Sequence, residues 1–312
     1  VTAIGLYIEG FDNIKKFEMA ASKAEMCKKP LVVLKAGKTA HSIATAFSHT
    51  ASITGSNTTS STFLARIGCL EVNSLSNMLE TLKFLHFNGY MQSPSIASVS
   101  CSGGEASLIA DQASETLIHF KPFEQMTKEK LKSLLGPIVT VSNPFDYHTF
   151  IWGDESKMAE TFLTVLENPF ELVLFLLDVP RNDLCDDTSF RCAINAIIST
   201  AKAQPGKIAV VSSLPESMTE DLAKKFIASG VTPLCGIDDA LQAINNSIKL
   251  GQFYQKSSSL HSGNIYFSED PQTNNVTLIN EKNGKDLLSS FGLKVPTSIS
   301  ARSVSEATLL VE

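Results

Sequence analysis

Three short, unbroken apolar runs set the terms for this chain: Leu31-Val32-Val33-Leu34, Leu172 to Leu177 and Ile208 to Val211. A strand that is apolar on both faces must be covered on both faces. Between the runs lie stretches of helical periodicity, and strand–helix alternation of this kind builds a parallel sheet with helices on either side. Every short connection then feeds a right-handed crossover.

In chain order, the pattern predicts a strand at 2–8, a helix at 13–28 capped by Asp12 or Asn13 and stopped by Pro30, and a strand at 31–35. A loop of small hydroxylated residues follows, then a helix at 58–67 closed by Gly68, a strand at 70–72 and a helix at 75–88 closed by Gly89. The alternation restarts with strands at 96–100, 138–141, 171–178, 207–212 and 232–235, with helices between them and a last helix at 238–254. About five strands so connected make a flavodoxin-like, doubly wound unit. Residues 1–92 read as the back half of a similar unit, 93–255 as a complete one, and 256–280 as a linker rich in Ser, Asn and Gln. A third pattern begins at 281. The chain opens on Val1 within a strand-like run and stops within a helix-like one, so the expectation is an internal fragment of a longer protein.

Composition removes several function classes. The net charge is -6 over 312 residues, which advertises no basic face for nucleic acid or anionic lipid. No apolar run approaches the roughly 18–20 residues that span a bilayer. The six cysteines, at 27, 69, 101, 185, 192 and 235, show no CxxC spacing and do not cluster with histidines, which reads as reduced thiols in a cytoplasmic protein without a zinc site.

Ligands of open parallel sheets gather beyond the carboxyl ends of the strands. Three features fall there: Glu9 after the first strand, the loop from Phe47 to Ser56 with His49 after the second, and Ser102-Gly103-Gly104 after the first strand of the next unit. A loop of small residues makes an imidazole mobile and accessible. A nearby carboxylate would raise its basicity and fix its tautomer. Glycines between a strand and a helix turn backbone N–H groups toward an anion, although this motif lacks the lysine of a P-loop and the full GxGxxG. The segment from Asn143 to Asp154 adds Asn143, Asp146, Tyr147, Phe150 and Trp152 as a candidate pocket wall, or else an aromatic anchor for a long loop. The acidic stretch from Asp178 to Asp187 fits a loop and helix cap better than a metal site.

Taken together, Tyr7-Ile8-Glu9-Gly10, Lys29-Pro30 to Gly37-Lys38, Ser48-His49-Thr50 with Gly55-Ser56, Ser102-Gly103-Gly104 and Asn143-Pro144-Phe145-Asp146 resemble the NDP-forming (ADP-forming) acyl-CoA synthetases, the acetate–CoA ligases related to succinyl-CoA synthetase. The likeness runs over about residues 1–254, and 281–312, with Phe291 to Pro296 at the entrance, resemble only the beginning of an ATP-grasp domain. The resemblance implies an acid–thiol ligase that converts a carboxylic acid, CoA and ATP to acyl-CoA, ADP and phosphate through acyl phosphate and a phosphohistidine. By position, His49 matches the phosphorylated histidine, Glu9 its partner carboxylate, and Ser102, Gly103 and Gly104 one of two helix N-termini that hold phosphate. It further implies CoA, ATP/ADP and Mg²⁺, bound mostly by parts outside this chain, a homo-oligomer, and little complete turnover by this chain alone. Two departures stand out: Ala51, where many relatives carry Gly, and Cys101, where many carry Asn or another small residue.

Two other classes compete. The same architecture serves as a catalytically silent, ligand-sensing module in fusions to an acetyltransferase. A hydrolase using Cys101 or Ser102 is the third reading, although the glycine spacing is not that of a G-x-S-x-G elbow.

Overall fold

A computed structural model describes residues 1–39, 42, 57–257, 279–297, 301, 303, 305 and 308. Two compact units result, Val1–His261 and Ser262–Glu312.

The first unit holds two parallel sheets. Strands β1 (Ile4–Ile8), β2 (Leu31–Lys35) and β3 (Leu70–Val72) pair in that order, with Tyr7 opposite Leu34 and Leu34 opposite Val72. Helices α1 (Ile14–Met26) and α2 (Asn57–Arg66) connect them, and α3 (Leu75–Phe87) leads away. The second sheet contains β4 (Ile96–Ser100), β5 (Phe145–Asp146), β6 (Leu172–Leu176), β7 (Ile208–Ser212) and β8 (Thr232–Cys235). Its order is β5-β4-β6-β7-β8, the flavodoxin order, and every pairing is parallel. Its connections carry α4 (Gly103–Ala113), α5 (Gln125–Leu135), α6 (Glu155–Leu166), α7 (Arg191–Ala203) and α8 (Glu220–Ala228), and α9 (Ile237–Ser257) follows β8. In the second unit α10 (Glu281–Ser290) starts at Asn280, whose side chain accepts a bond from Asn283 N.

The alternation of side chains along β2 explains its unbroken apolar run. Leu31 and Val33 pack with Ala21 of α1 and Leu64 of α2, while Val32 and Leu34 pack with Leu85 of α3 and Leu250 of α9. The second sheet repeats the scheme: Val99, Val173 and Phe175 meet α6 and α7, and Ile96, Leu174 and Val211 meet α4 and α9. Each of these buried side chains contributes on the order of 1.5–3 kcal/mol.

Helices α3 and α9 are shared. Phe84 and Leu85, adjacent on α3, serve the cores of the second and first sheets respectively, and α9 does the same with Ile244 and Leu250. Polar clasps line this seam: Asn246 Nδ2 donates to Thr81 Oγ1 at 3.2 Å, Ser247 Oγ donates to the Gly89 carbonyl at 3.0 Å, and Thr232 Oγ1 donates to Asn88 Oδ1 at 2.6 Å. At Gly251 the helix comes so close to the Met91 carbonyl that a Cβ would fall 1.8 Å from its oxygen.

One expected strand is displaced. Residues 138–141 form no strand, and the pairing with β4 occurs at Phe145–Asp146 instead. The Asn143 side chain takes over part of a ladder: its Nδ2 donates to the Ile96 and Lys121 carbonyls at 2.9 and 2.8 Å, and its Oδ1 accepts from Ser98 N at 3.1 Å. Val139 and Val141 are buried as a loop over the core, so their apolar character reflects burial rather than pairing. Helix α9 also runs through 256–257, where the linker was expected to begin. Among the described residues no helix is long and apolar enough to cross a membrane.

Candidate functional site

The strand order reverses between β4 and β6, and that switch point is where a doubly wound sheet opens a crevice. Ser102 follows β4 there in extended conformation (φ -142°, ψ 131°) as the N-cap of α4, but its side chain makes no capping bond. Its carbonyl accepts from Ala106 N at 3.0 Å, closing the first turn. Gly103 and Gly104 are exposed, and no side chain caps the turn they begin. The first N–H groups of an 11-residue helix therefore face outward with the positive end of its dipole.

Carboxylates crowd this turn. A Cβ on Gly103 would sit 3.4 Å from Asp146 Oδ2. Asp146 Oδ1 accepts from His148 N at 2.8 Å, which holds His148 at a positive φ of 61°, and its Oδ2 lies 3.6 Å from His148 Nε2. Glu105, in the first turn of α4, accepts from the Cys101 backbone N–H and lies 4.0 Å from Cys101 Sγ. Burial, then the charges of Asp178 and Asp146, push its carboxyl up to about 7 against that hydrogen bond. Asp178, after β6, accepts from Ser213 N at 2.6 Å and so ties the ends of β6 and β7 together. Beneath them the Tyr147 hydroxyl and the Cys101 thiol share a hydrogen bond, and burial pushes the Cys101 thiol up to about 11. A thiol held that high is no nucleophile near neutral pH, which argues against the cysteine hydrolase reading.

The first sheet's carboxyl edge is built from cations. Lys35, the last residue of β2, is 2% exposed and donates through Nζ to the Ala36 carbonyl at 3.0 Å and to the Glu9 carbonyl at 3.4 Å. Burial lowers its pKa, and the neighbouring Glu71 works against that shift. Lys38 Nζ stands 2.8 Å from Glu71 Oε1, an ion pair off the hydrogen-bonding direction, and donates to Asn73 Oδ1 at 3.0 Å. Glu9 follows β1 at this same edge, its backbone fixed by the Lys35 bond. His49, Thr50, Ala51, Gly55 and Ser56 lie outside the described residues.

The remaining candidates do not converge. Asn143 spends its amide on backbone groups, as described above. Tyr147 is buried with its ring edge-on to Phe162, Phe150 is exposed and stacks on His148, and Trp152 packs edge-on to Phe190. None of these four lines the cavities of about 590 and about 320 Å³ that the described residues form. In the acidic stretch, Arg181 pairs with Asp183 at 2.6 Å and Arg191 with Asp187 at 3.3 Å, both as local loop contacts. Glu105 is the site residue that sequence reasoning passed over. An acid in a helix's first turn is commonplace, and only the fold brings Asp146 and Asp178 toward it.

Residues 1–85 match the family model described as "Succinyl-CoA ligase like flavodoxin domain". The chain is 33% identical over 153 residues to the alpha subunit of ADP-forming acetate–CoA ligase II of Pyrococcus furiosus, covering 49% of this chain and 33% of that one. It is 21% identical over 316 residues to the ADP-forming 4-hydroxybutyrate–CoA ligase of Nitrosopumilus maritimus, covering 97% of this chain and 44% of that one. Among solved structures, the dinucleotide-forming acetyl-coenzyme A synthetase 1 of Ca. Korarchaeum cryptofilum, in complex with phosphate and ADP, superposes with a TM-score of 0.64 at 19% identity over 82% of this chain and 55% of that one. The chain thus spans a third to less than half the length of these curated relatives. The resemblance to the ADP-forming acyl-CoA synthetases and the flavodoxin-like α/β fold both stand on these matches.

Proposed function

We propose that this chain carries the phosphoryl relay of an ADP-forming acid–thiol ligase, with His49 as the carrier. The observation that supports it most is the uncapped Ser102-Gly103-Gly104 turn at the switch point of the second sheet, where exposed glycines leave N–H groups free for an anion. In this reading acyl-CoA and phosphate interconvert with acyl phosphate and CoA at that turn. The phosphoryl group passes to a ring nitrogen of His49, releasing the acid, and from there to ADP. Phosphoryl transfer asks for positioning and preorganised N–H donors more than for covalent chemistry, which is what a helix N-terminus supplies. Glu9 is assigned to hold the imidazole in its nucleophilic tautomer.

The carboxylates around the turn fit this role on one condition. A dianionic phosphate beside ionised Glu105, Asp146 and Asp178 would be repelled, but Glu105 keeps its proton up to about pH 7 and can then donate to the anion. CoA, ATP or ADP and Mg²⁺ complete the reaction, and no residue described above is assigned to them. The same reading makes 1–92 the C-terminal part of a first ligase domain, 93–255 a second ligase domain and 281–312 the beginning of an ATP-grasp domain, in a cytoplasmic homo-oligomer. The free state of all six cysteines accords with that compartment.

The test is direct. The complete protein carrying this chain, given ATP and Mg²⁺, is expected to take up an acid-labile phosphoryl group on His49. His49→Ala should lose both the label and ligase turnover, and Glu9→Gln should slow labelling by about 10²-fold. Full turnover by His49→Ala would dismiss the relay.

A further inference from the structure

The cavity of about 590 Å³ beside β3, the last strand of the first sheet, is lined by no residue of the phosphate turn. Two helices wall it through residues spaced one turn apart. Asn57, Ser61 and Ala65 come from α2, and Asn246, Lys249 and Phe253 from α9. Its volume lies within the range of small-molecule sites.

Three properties of the wall define what would fit. The first is charge: Lys38 and Lys249 line the cavity against a single carboxylate, Glu71, which already pairs with Lys38. Lys249 is exposed and brings a positive charge that no acidic side chain of the wall offsets, so the surplus favours an anion. The second is an apolar side made by Leu70, Leu250 and Phe253. The Phe253 ring occupies the space a side chain at position 68 would fill, since a Cβ on Gly68 would fall 2.3 Å from it. The third is an unmet acceptor: among the described residues Asn57 Oδ1 is buried without a hydrogen-bond partner, and a buried carbonyl oxygen calls for a donor.

We propose that this cavity binds a small hydroxy acid, with its carboxylate toward Lys249 and Lys38, its carbon skeleton against Phe253 and Leu250, and its hydroxyl donating to Asn57 Oδ1. An inorganic anion would leave the apolar wall unused. A neutral alcohol would leave Lys249 uncompensated. The proposal does not rest on the ligase reading, and either can fail alone.

Isothermal titration of the chain at neutral pH with mandelate, phenylacetate, benzyl alcohol and inorganic phosphate separates the three terms. Mandelate is expected to bind best, phenylacetate about fivefold weaker for want of the hydroxyl, and benzyl alcohol at least about tenfold weaker for want of the charge. Lys249→Met, at an exposed position that leaves the fold intact, should weaken mandelate and phenylacetate alike by about tenfold. Asn57→Ala should abolish the preference for mandelate over phenylacetate. No heat from mandelate up to about 10 mM, unchanged affinity in Lys249→Met, or phosphate binding as tightly as mandelate would each overturn the proposal.

Discussion

At the carboxyl edge of the first sheet two lysines, Lys35 and Lys38, close on one carboxylate, Glu71, whereas at that of the second sheet three carboxylates, Glu105, Asp146 and Asp178, gather at one helix N-terminus. Both edges obey the same topological rule, and both stand in one compact unit. Their electrostatics are opposite. At the first edge burial works against a cation, and the nearby carboxylate partly restores its charge. At the second, burial and like charge act in the same direction and drive a proton onto Glu105. A parallel sheet therefore dictates where a site lies without dictating its charge, which comes from side chains that the strands deliver from distant parts of the sequence.

Separating the two edges physically would break the comparison most severely, because α3 and α9 weld the sheets together. Gly251→Ala puts a methyl against the Met91 carbonyl and should cost about 3 kcal/mol, lowering the melting temperature by about 10 °C. A calorimetric scan in which the two sheets still melt as one transition, with an unchanged midpoint, would mean the seam is looser than this contact requires.

The second edge can be probed through its proton. Folded Glu105 holds its proton up to about pH 7, while an unfolded chain releases it near about 4.3. The folded state thus binds more protons between those values, and its stability falls as pH rises through that window and levels off above it. With Glu105 only partly buried, the loss is about 1 kcal/mol after allowance for solvent screening. Glu105→Gln should flatten this slope in urea melts taken from about pH 4 to about pH 8. A slope that survives the substitution would assign the proton elsewhere.

The first edge should respond more weakly. Lys38→Met removes one partner of a half-buried ion pair but leaves Lys35 beside Glu71, so the cost should stay at about 1 kcal/mol or less and shrink in high salt. Arg181→Ala supplies the lower bound, since its pair with Asp183 is exposed and the melting temperature should not change measurably.

Much of the fold was readable because the chain states it twice. β2, β3, β4, β7 and β8 lie at or within a residue of their expected spans, and Gly68 and Gly89 end their helices at φ of 73° and 72°, where other residues are strained. The fifth strand was misplaced because Val139 and Val141 look like a strand yet cover the core as a loop, while Asn143 stands in for the missing ladder. At the candidate site the turn Ser102-Gly103-Gly104 was visible as a motif. Its setting was not, because Asp146 and Asp178 are remote in sequence from the turn and from Glu105, and all three acids are ordinary in type. Gly251 is the sharper case: a glycine inside a helix is unfavourable by about 1 kcal/mol, and only the approach of Met91 explains it.

By itself the sequence determined the strand–helix alternation, the places where the described loops meet strand ends, and which of those loops carry Glu9 and the glycine turn. These follow from local periodicity and chain order, which act over a few residues. Only the tertiary structure decided that Lys35 would be buried, that Glu105 would keep its proton, that α3 and α9 would serve two cores at once, and that α2 and α9 would enclose a cavity. Those outcomes depend on desolvation and on charges brought within a few ångströms by packing, and such distances are not written in any one segment of the chain.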